Sequence, residues 1–364
     1  MKSFLVLILS AVVVLGAGAQ AVPGSGMVKG PMAGEAQQLN GAGGTFPAVL
    51  YTKWFADYAK LTKVEINYQA IGSGGGIKSI SDMTVDFGAS DGPMSDTQLA
   101  AAKGGALLHI PTTMGGVVPT YNLPELKGKP VLKFTGDTLA GIYNGDIIKW
   151  NDPQLVADNP DLAKIDRYIA VVHRSDGSGT TAIWTNYLSA VNTKWAKETG
   201  AGTSVKWPTG LGGKGNEGVS GNVKQTPYSI GYVELAYAKQ NKLPVSLVKN
   251  AAGKFVAADE KSVSMAAQGV ALPDDMRIML VNSSNPEAFP IAGFTWLLIY
   301  QNQTDAAKAT ALTRMLWWAL HDGQAYASKL DYAPLPLDAI KKAEVLIKSI
   351  TVNGAPALPA TIAK

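Results

Sequence analysis

The chain has 364 residues, 32 Lys and Arg against 28 Asp and Glu, and a formal net charge of +4 at pH 7. Charged residues make up only 16% of it, with no basic run and no basic stripe interleaved with aromatics, which argues against nucleic acid as a partner. It contains no cysteine, so disulfides and a lipidated cysteine are excluded and stability must come from a core; the length suits two lobes of roughly 100–200 residues each.

Residues 1–21, MKSFLVLILSAVVVLGAGAQA, combine one lysine, an apolar stretch and a small-residue end, the pattern of a cleaved export signal. The apolar run is shorter than the roughly 20 residues that span a bilayer. Residues 22–38, VPGSGMVKGPMAGEAQQ, have no apolar period and read as a flexible linker. Leu50, Trp54, Tyr58 and Leu61 then predict one helical face, with Pro47 in the first turn. VEINYQAI alternates as a half-buried strand and runs through GSGGG into a helix with Ile77, Ile80 and Met83 on one side. VDFGAS predicts a short buried strand, followed by a helix opened by the capping-box pair Ser95 and Gln98. Farther on, YIAVV ends in HRSDGSGT, after which Ile183, Trp184, Tyr187, Leu188 and Val191 repeat at helical spacing.

This alternation predicts α/β lobes with mainly parallel sheets. PTTMGGVVPTYN (111–122) and FPIAGFTWLLIY (289–300) read as two extended crossings between lobes. The first lobe would then be discontinuous, 39–115 plus 290–364, and the second would be 116–289.

Four loops share one chemistry: GAGGTFP (41–47), IGSGGG (71–76), GASDGP (88–93) and RSDGSGT (174–180). Each precedes a helix, whose first turn offers unpaired N–H groups and a partial positive charge. Thr45, Ser73, Ser178 and Thr180 add hydroxyl donors, and Arg174 supplies a fork for two oxygens of a tetrahedral anion. Each loop alone also reads as an ordinary turn, and Ser178 and Thr180 as simple helix caps. Asp91 is the informative exception. A carboxylate among anion donors repels a fully ionised ligand but can accept a proton from one that still carries it. Phosphate near neutral pH carries such a proton and sulfate does not, so Asp91 would admit the first and reject the second. As a turn residue in SDGP, Asp91 has an equally plain structural reading.

Other chemistries fit less well. GSGGG has Gly-x-Gly-x-Gly spacing, not the dinucleotide Gly-x-Gly-x-x-Gly. GLGGKGNEG places Gly215 where a P-loop needs Ser or Thr, and reads as an irregular turn. A hydrolase lacks its Gly-x-Ser-x-Gly elbow, and His109, His173 and His321 form no metal pattern. Neither a cofactor, a metal nor catalysis is expected.

The blocks LNGAGGTFPAVLYTKW, YQAIGSGGGIKSI, VDFGASDGPMSD, IAVVHRSDGSGTTAIWTNYL, VKWPTGLGGKGNEGV and IGYVELAYAKQNKL closely resemble the periplasmic phosphate-binding proteins of high-affinity phosphate ABC transporters. The likeness runs in order from about Leu39 to Leu335. It implies an α/β two-lobed periplasmic binding protein fold of type II, closing over one phosphate in the inter-lobe cleft and passing it to an inner-membrane permease. By matching position it implies contacts from Thr45, the Phe46 N–H, Ser73, Arg174, Ser178, Gly179 and Thr180. Asp91 would accept the phosphate proton, and Asp176 would orient Arg174. It further implies a periplasmic location and a monomer. Gly74 stands where the family often has serine, so that side-chain donor is absent and the N–H remains. Binding of another oxyanion such as arsenate or sulfate, or phosphate sensing without transport, stays open at this stage.

Overall fold

A computed structural model describes residues 22–362; the expected export signal, residues 1–21, lies outside the described residues. In chain order the first elements are β1 (Gln38–Gly43), α1 (Ala48–Thr62), β2 (Glu65–Ala70), α2 (Ser73–Ser81), β3 (Phe87–Ser90), α3 (Asp96–Ala100) and β4 (Leu107–Asn122). Next come β5 (Lys133–Phe134), α4 (Gly136–Asn144), α5 (Pro153–Val156), β6 (Ala170–Arg174), α6 (Gly179–Val191), α7 (Thr193–Glu198), β7 (Leu211–Gly213), α8 (Gly215–Gln225), β8 (Ser229–Glu234) and α9 (Leu235–Gln240). The chain continues through β9 (Leu247–Lys249), β10 (Phe255–Val256), α10 (Glu260–Ser264), β11 (Ala292–Tyr300) and β12 (Asn302–Gln303). It ends with α11 (Ala306–Leu320), α12 (Leu337–Lys348), β13 (Thr351–Val352) and β14 (Ala355–Pro356).

Eight strands join in the order β2-β1-β3-β11-β4-β8-β6-β7. The outer strands are parallel, β1 to β2 and β3, and β6 to β7 and β8, as strand–helix–strand connections require. The centre departs from the mainly parallel expectation. There β11 runs antiparallel to β3 and β4, and β4 antiparallel to β8. The long strand β4 changes partner along its length, pairing with β11 through Gly116 and with β8 from Val117. The two extended segments singled out in the sequence are therefore neighbouring strands, Ala292 opposite Gly116 and Phe294 opposite Met114.

Helix α1 buries Leu50, Tyr51, Trp54, Phe55 and Tyr58, whereas Leu61 is 37% exposed. The true apolar face is thus rotated from the one expected, because paired aromatics at 50–51 and 54–55 define its centre. Tyr51 stacks on Trp54 at 5.6 Å between ring centroids. Helix α2 buries Ile77 and Ile80 but ends at Ser81, so Met83, at positive φ, lies in solvent. The Ser95–Gln98 capping box forms as read. In the other half Trp184 stacks on Tyr232 at 4.8 Å. Fully burying an apolar side chain is worth about 1.5–3 kcal/mol, which is how a chain without disulfides holds its one continuous core.

Residues 22–38 differ from the expected flexible linker. Val28 is buried, Glu35 forms a buried ion pair with Arg314 of α11, and Arg314 also donates to Gly30 O. Side-chain pairing holds an irregular segment that has no apolar period to announce it. Among the described residues no helix is long and apolar enough to cross a membrane.

Candidate anion-binding cleft

The four donor-rich loops converge where the two halves of the sheet face each other. Thr45 and Phe46 follow β1 into α1, Ser73 opens α2, Asp91 follows β3, and Arg174 ends β6 just before α6. All are buried, with Asp91 1% and Arg174 3% exposed. Burying polar groups this deeply is costly unless partners compensate them.

Arg174 meets that requirement through Asp176: Nε donates to Oδ1 at 2.8 Å and Nη2 to Oδ2 at 2.6 Å. Its Nη1 donates to Thr180 Oγ1 at 3.3 Å. Burial pushes the Asp176 carboxyl up, but the Arg174 bonds and charge, with the Gly215 N–H at 3.0 Å, outweigh it and hold the group below the usual carboxylate range. Asp176 thus holds the guanidinium by a bidentate pair.

Across the cleft, Asp91 lies under Ser73 and Thr295. Thr295 donates to Asp91 Oδ1 at 2.8 Å, Ser73 Oγ donates to Oδ2 at 3.4 Å, and the Asp91 N–H donates back to Ser73 Oγ at 3.2 Å. Burial dominates and pushes the Asp91 carboxyl up to about 7, with the Thr295 bond, the Arg174 charge and Ser73 pulling the other way. A carboxyl held there exchanges its proton near neutral pH.

The halves touch directly around these groups. The Gly74 N–H donates to Gly177 O at 2.9 Å, so the backbone donor left by the missing serine is spent on this contact. Gly179 lies against Asp91, and a Cβ there would come within 2.5 Å of Asp91 Oδ2. Gly72, at φ +88°, would place a Cβ 2.3 Å from Asp176 Oδ2. Ser178 Oγ accepts the Thr181 N–H at 3.0 Å as a helix cap, and its hydrogen meets no acceptor among the described residues.

Sequence reasoning missed three residues here. Asn216 Nδ2 donates to Thr45 Oγ1 at 2.8 Å and to Thr180 Oγ1 at 3.1 Å, and Tyr237 Oη donates to Thr45 O at 2.7 Å. Thr295 is the third. The stretch GLGGKGNEG, expected as an irregular turn, forms β7 and the start of α8, and so delivers Asn216 to the cleft. Its Gly-rich composition was the available clue. His173 lies beside the cleft, its Nδ1 2.9 Å from Arg174 O, and the other two histidines lie elsewhere: burial, with Arg277 nearby, lowers His109 to about 4, and its Nε2 accepts the Met94 N–H at 3.0 Å. His321 Nε2 lies 3.1 Å from Glu344. No group of three metal-ligating side chains occurs among the described residues. A surface cavity of about 660 Å3 beside Leu126 and Lys242 contains none of the cleft residues.

A family model described as the PBP superfamily domain matches residues 30–313. The phosphate-binding protein PstS of Pasteurella multocida is 44% identical over 317 residues, covering 86% of this chain and 91% of its own. The chain belongs to the PstS family. PstS relatives extend to Methanocaldococcus jannaschii, at 39% identity over 305 residues and 78% of both chains. Among solved structures, a high affinity periplasmic phosphate-binding protein bound with phosphate superposes with TM-score 0.69 at 22% identity, covering 85% of this chain and 93% of that one. The phosphate-binding protein from Stenotrophomonas maltophilia gives TM-score 0.64 at 20% identity, over 84% and 92% of the two chains. These likenesses fix the two-lobed fold.

Proposed function

We propose that the cleft binds one inorganic phosphate and that the chain is the periplasmic receptor of an ABC importer, handing phosphate to an inner-membrane permease. The observation that carries this reading is Asp91, buried among donors and poised to titrate near pH 7. A site made only of donors would take any oxyanion. One carboxyl among them makes the complex require a single shared proton, brought either by Asp91 or by the ligand. Phosphate, as its mono- or dianion, still carries a proton around neutral pH and meets that requirement; sulfate brings no proton and faces an ionised Asp91 at higher pH. The same chemistry admits arsenate.

Thr45, the Phe46 N–H, Ser73, Ser178, Gly179 and Thr180 supply the neutral donors in this reading, and Arg174 the one cation, partly offset by Asp176. The lobes are 39–115 with 290–364 and 116–289, and β4 and β11 act as the crossings that flex when the cleft opens. Ligand binds the closed form because donors from both lobes must reach it at once. The receptor works as a monomer and performs no catalysis. Isothermal titration of the exported protein at neutral to mildly alkaline pH tests this. One phosphate per chain with no response to sulfate is expected; sulfate binding as well as phosphate, or an absence of phosphate binding, would overturn it.

A further inference from the structure

Asn216, the second residue of α8, is fully buried, and every polar atom of its amide has a partner. Its Oδ1 accepts the Glu234 backbone N–H at 2.9 Å. Because a backbone N–H can only donate, that bond decides which end of the amide is oxygen and turns the nitrogen toward the cleft. Nδ2 then donates to Thr45 Oγ1 at 2.8 Å and Thr180 Oγ1 at 3.1 Å. Thr45 lies in the half of the molecule built on β1, and Thr180 in the half built on β6.

A threonine hydroxyl has two acceptor sites and one hydrogen. Thr45 Oγ1 receives the Asn216 backbone N–H at 3.1 Å as well as the amide, so both acceptor sites are filled. Thr180 Oγ1 receives Arg174 Nη1 at 3.3 Å and the same amide, and is filled too. Neither hydroxyl donates to any protein acceptor among the described residues. Each retains only its hydrogen, with nothing left to do but give it to a ligand.

We propose that Asn216 is a positioning residue that converts Thr45 and Thr180 into obligatory donors, fixing both hydroxyl rotors toward an acceptor-only anion before it arrives. The proposal rests on the phosphate reading. Donors oriented in advance cost no rotor entropy on binding and cannot serve a ligand that itself must donate. Asn216 also ties that orientation to closure, since opening the cleft separates it from Thr45.

The test is a set of phosphate titrations on wild type, Asn216→Ala, the pair Thr45→Val with Thr180→Val, and the triple variant. Asn216→Ala is expected to weaken phosphate binding about tenfold or more in the wild-type background, roughly 1.4 kcal/mol. On top of the two valine substitutions its effect is expected to shrink to about twofold or less, since the hydroxyls it orients are gone. An equal loss in both backgrounds, or none in either, overturns the proposal. Asn216→Asp is the second variant and keeps the size of the side chain. Its ionised form only accepts and turns the hydroxyl hydrogens away from the ligand, so its affinity relative to wild type should recover as pH falls and the carboxyl regains a proton. A ratio flat with pH overturns the proposal as well. Failure of the wild-type protein to bind phosphate would instead remove the reading on which it rests.

Discussion

Thr295 gives its hydroxyl hydrogen to Oδ1 of Asp91 at 2.8 Å, across 204 positions of sequence. The contact exists because β11 returns antiparallel beside β3, with Trp296 opposite Ser90, which sets Thr295 next to the residue that follows the strand. Thr295 is fully buried, and its bond favours the ionised form, pulling against the burial that raises the carboxyl to about 7.

Thr295→Val therefore removes support for the ionised state, and the Asp91 carboxyl should rise further. Hydrogen bonds to charged groups are worth about 1.5–3 kcal/mol, and one pKa unit is about 1.4 kcal/mol. The expected displacement is about one to two pH units upward, read by following the Asp91 carboxyl carbon by NMR across a pH series in the ligand-free protein. A midpoint unchanged from wild type would deny Thr295 this role.

Sulfate discrimination should carry the same signature. Below about 7 the protonated carboxyl can donate to sulfate, and above it the ionised one repels, so sulfate should compete weakly under acidic conditions and not under alkaline ones. Asp91→Asn, neutral at every pH, should accept sulfate without that dependence. Competition titrations check both, and a variant that still rejects sulfate would take selectivity away from Asp91.

Arg174→Ala should weaken phosphate binding by about 2–5 kcal/mol, the range for truncating one partner of a buried, hydrogen-bonded charge pair. It also leaves Asp176 without the cation its two oxygens hold. Arg174→Lys keeps the charge but not the fork, and should fall between the two. Calorimetry giving wild-type affinity for the alanine variant would contradict the assignment.

Gly179→Ala probes closure. The added methyl would stand 2.5 Å from Asp91 N and Oδ2, a clash between lobes and not within one. Thermal stability without ligand should change little, while phosphate affinity drops at least tenfold and small-angle scattering shows no compaction on adding phosphate. Normal affinity would mean that the lobes close less tightly than the structure shows.

Glu234 sets a pH dependence of stability. It is fully buried, its Oε2 accepts the Ala236 N–H at 2.8 Å, and its Oε1 has no hydrogen-bond partner among the described residues. Burial, with the charges of Asp331 and Asp91, holds it well above its ordinary 4.5. A folded-state value raised in this way contributes stability that is complete below the unfolded value and is lost as pH rises toward the folded one. Glu234→Gln mimics the protonated carboxyl. Denaturant melts from about pH 5 to pH 8 should show the variant losing less stability than wild type and being at least as stable at the alkaline end. Parallel pH profiles would exclude Glu234 as the source.

The local chemistry of the loops was legible in the sequence. Gly before the helices, hydroxyls at their first turns and the Arg174–Asp176 pair at i, i+2 are short-range patterns, and the helical and strand periods place them at element ends. Leu61 and Met83 were misread because a period defines a stripe, not which edge of it faces a neighbour or where the helix stops. Residues 22–38 looked free because an ion pair such as Glu35 with Arg314 joins positions far apart and leaves no local trace.

The sequence by itself determined which side chains the four loops carry, hydroxyls and an arginine with one acid among them, since these are matters of residue type and spacing over a few positions. Only the tertiary structure decided how those donors point. Asn216 reaches Thr45 from α8 and Thr295 reaches Asp91 from β11, contacts that span 171 and 204 positions of the chain. Hydrogen-bond direction and the ionisation of a buried carboxyl depend on what lies within a few ångströms in space, and a chain order does not contain that distance.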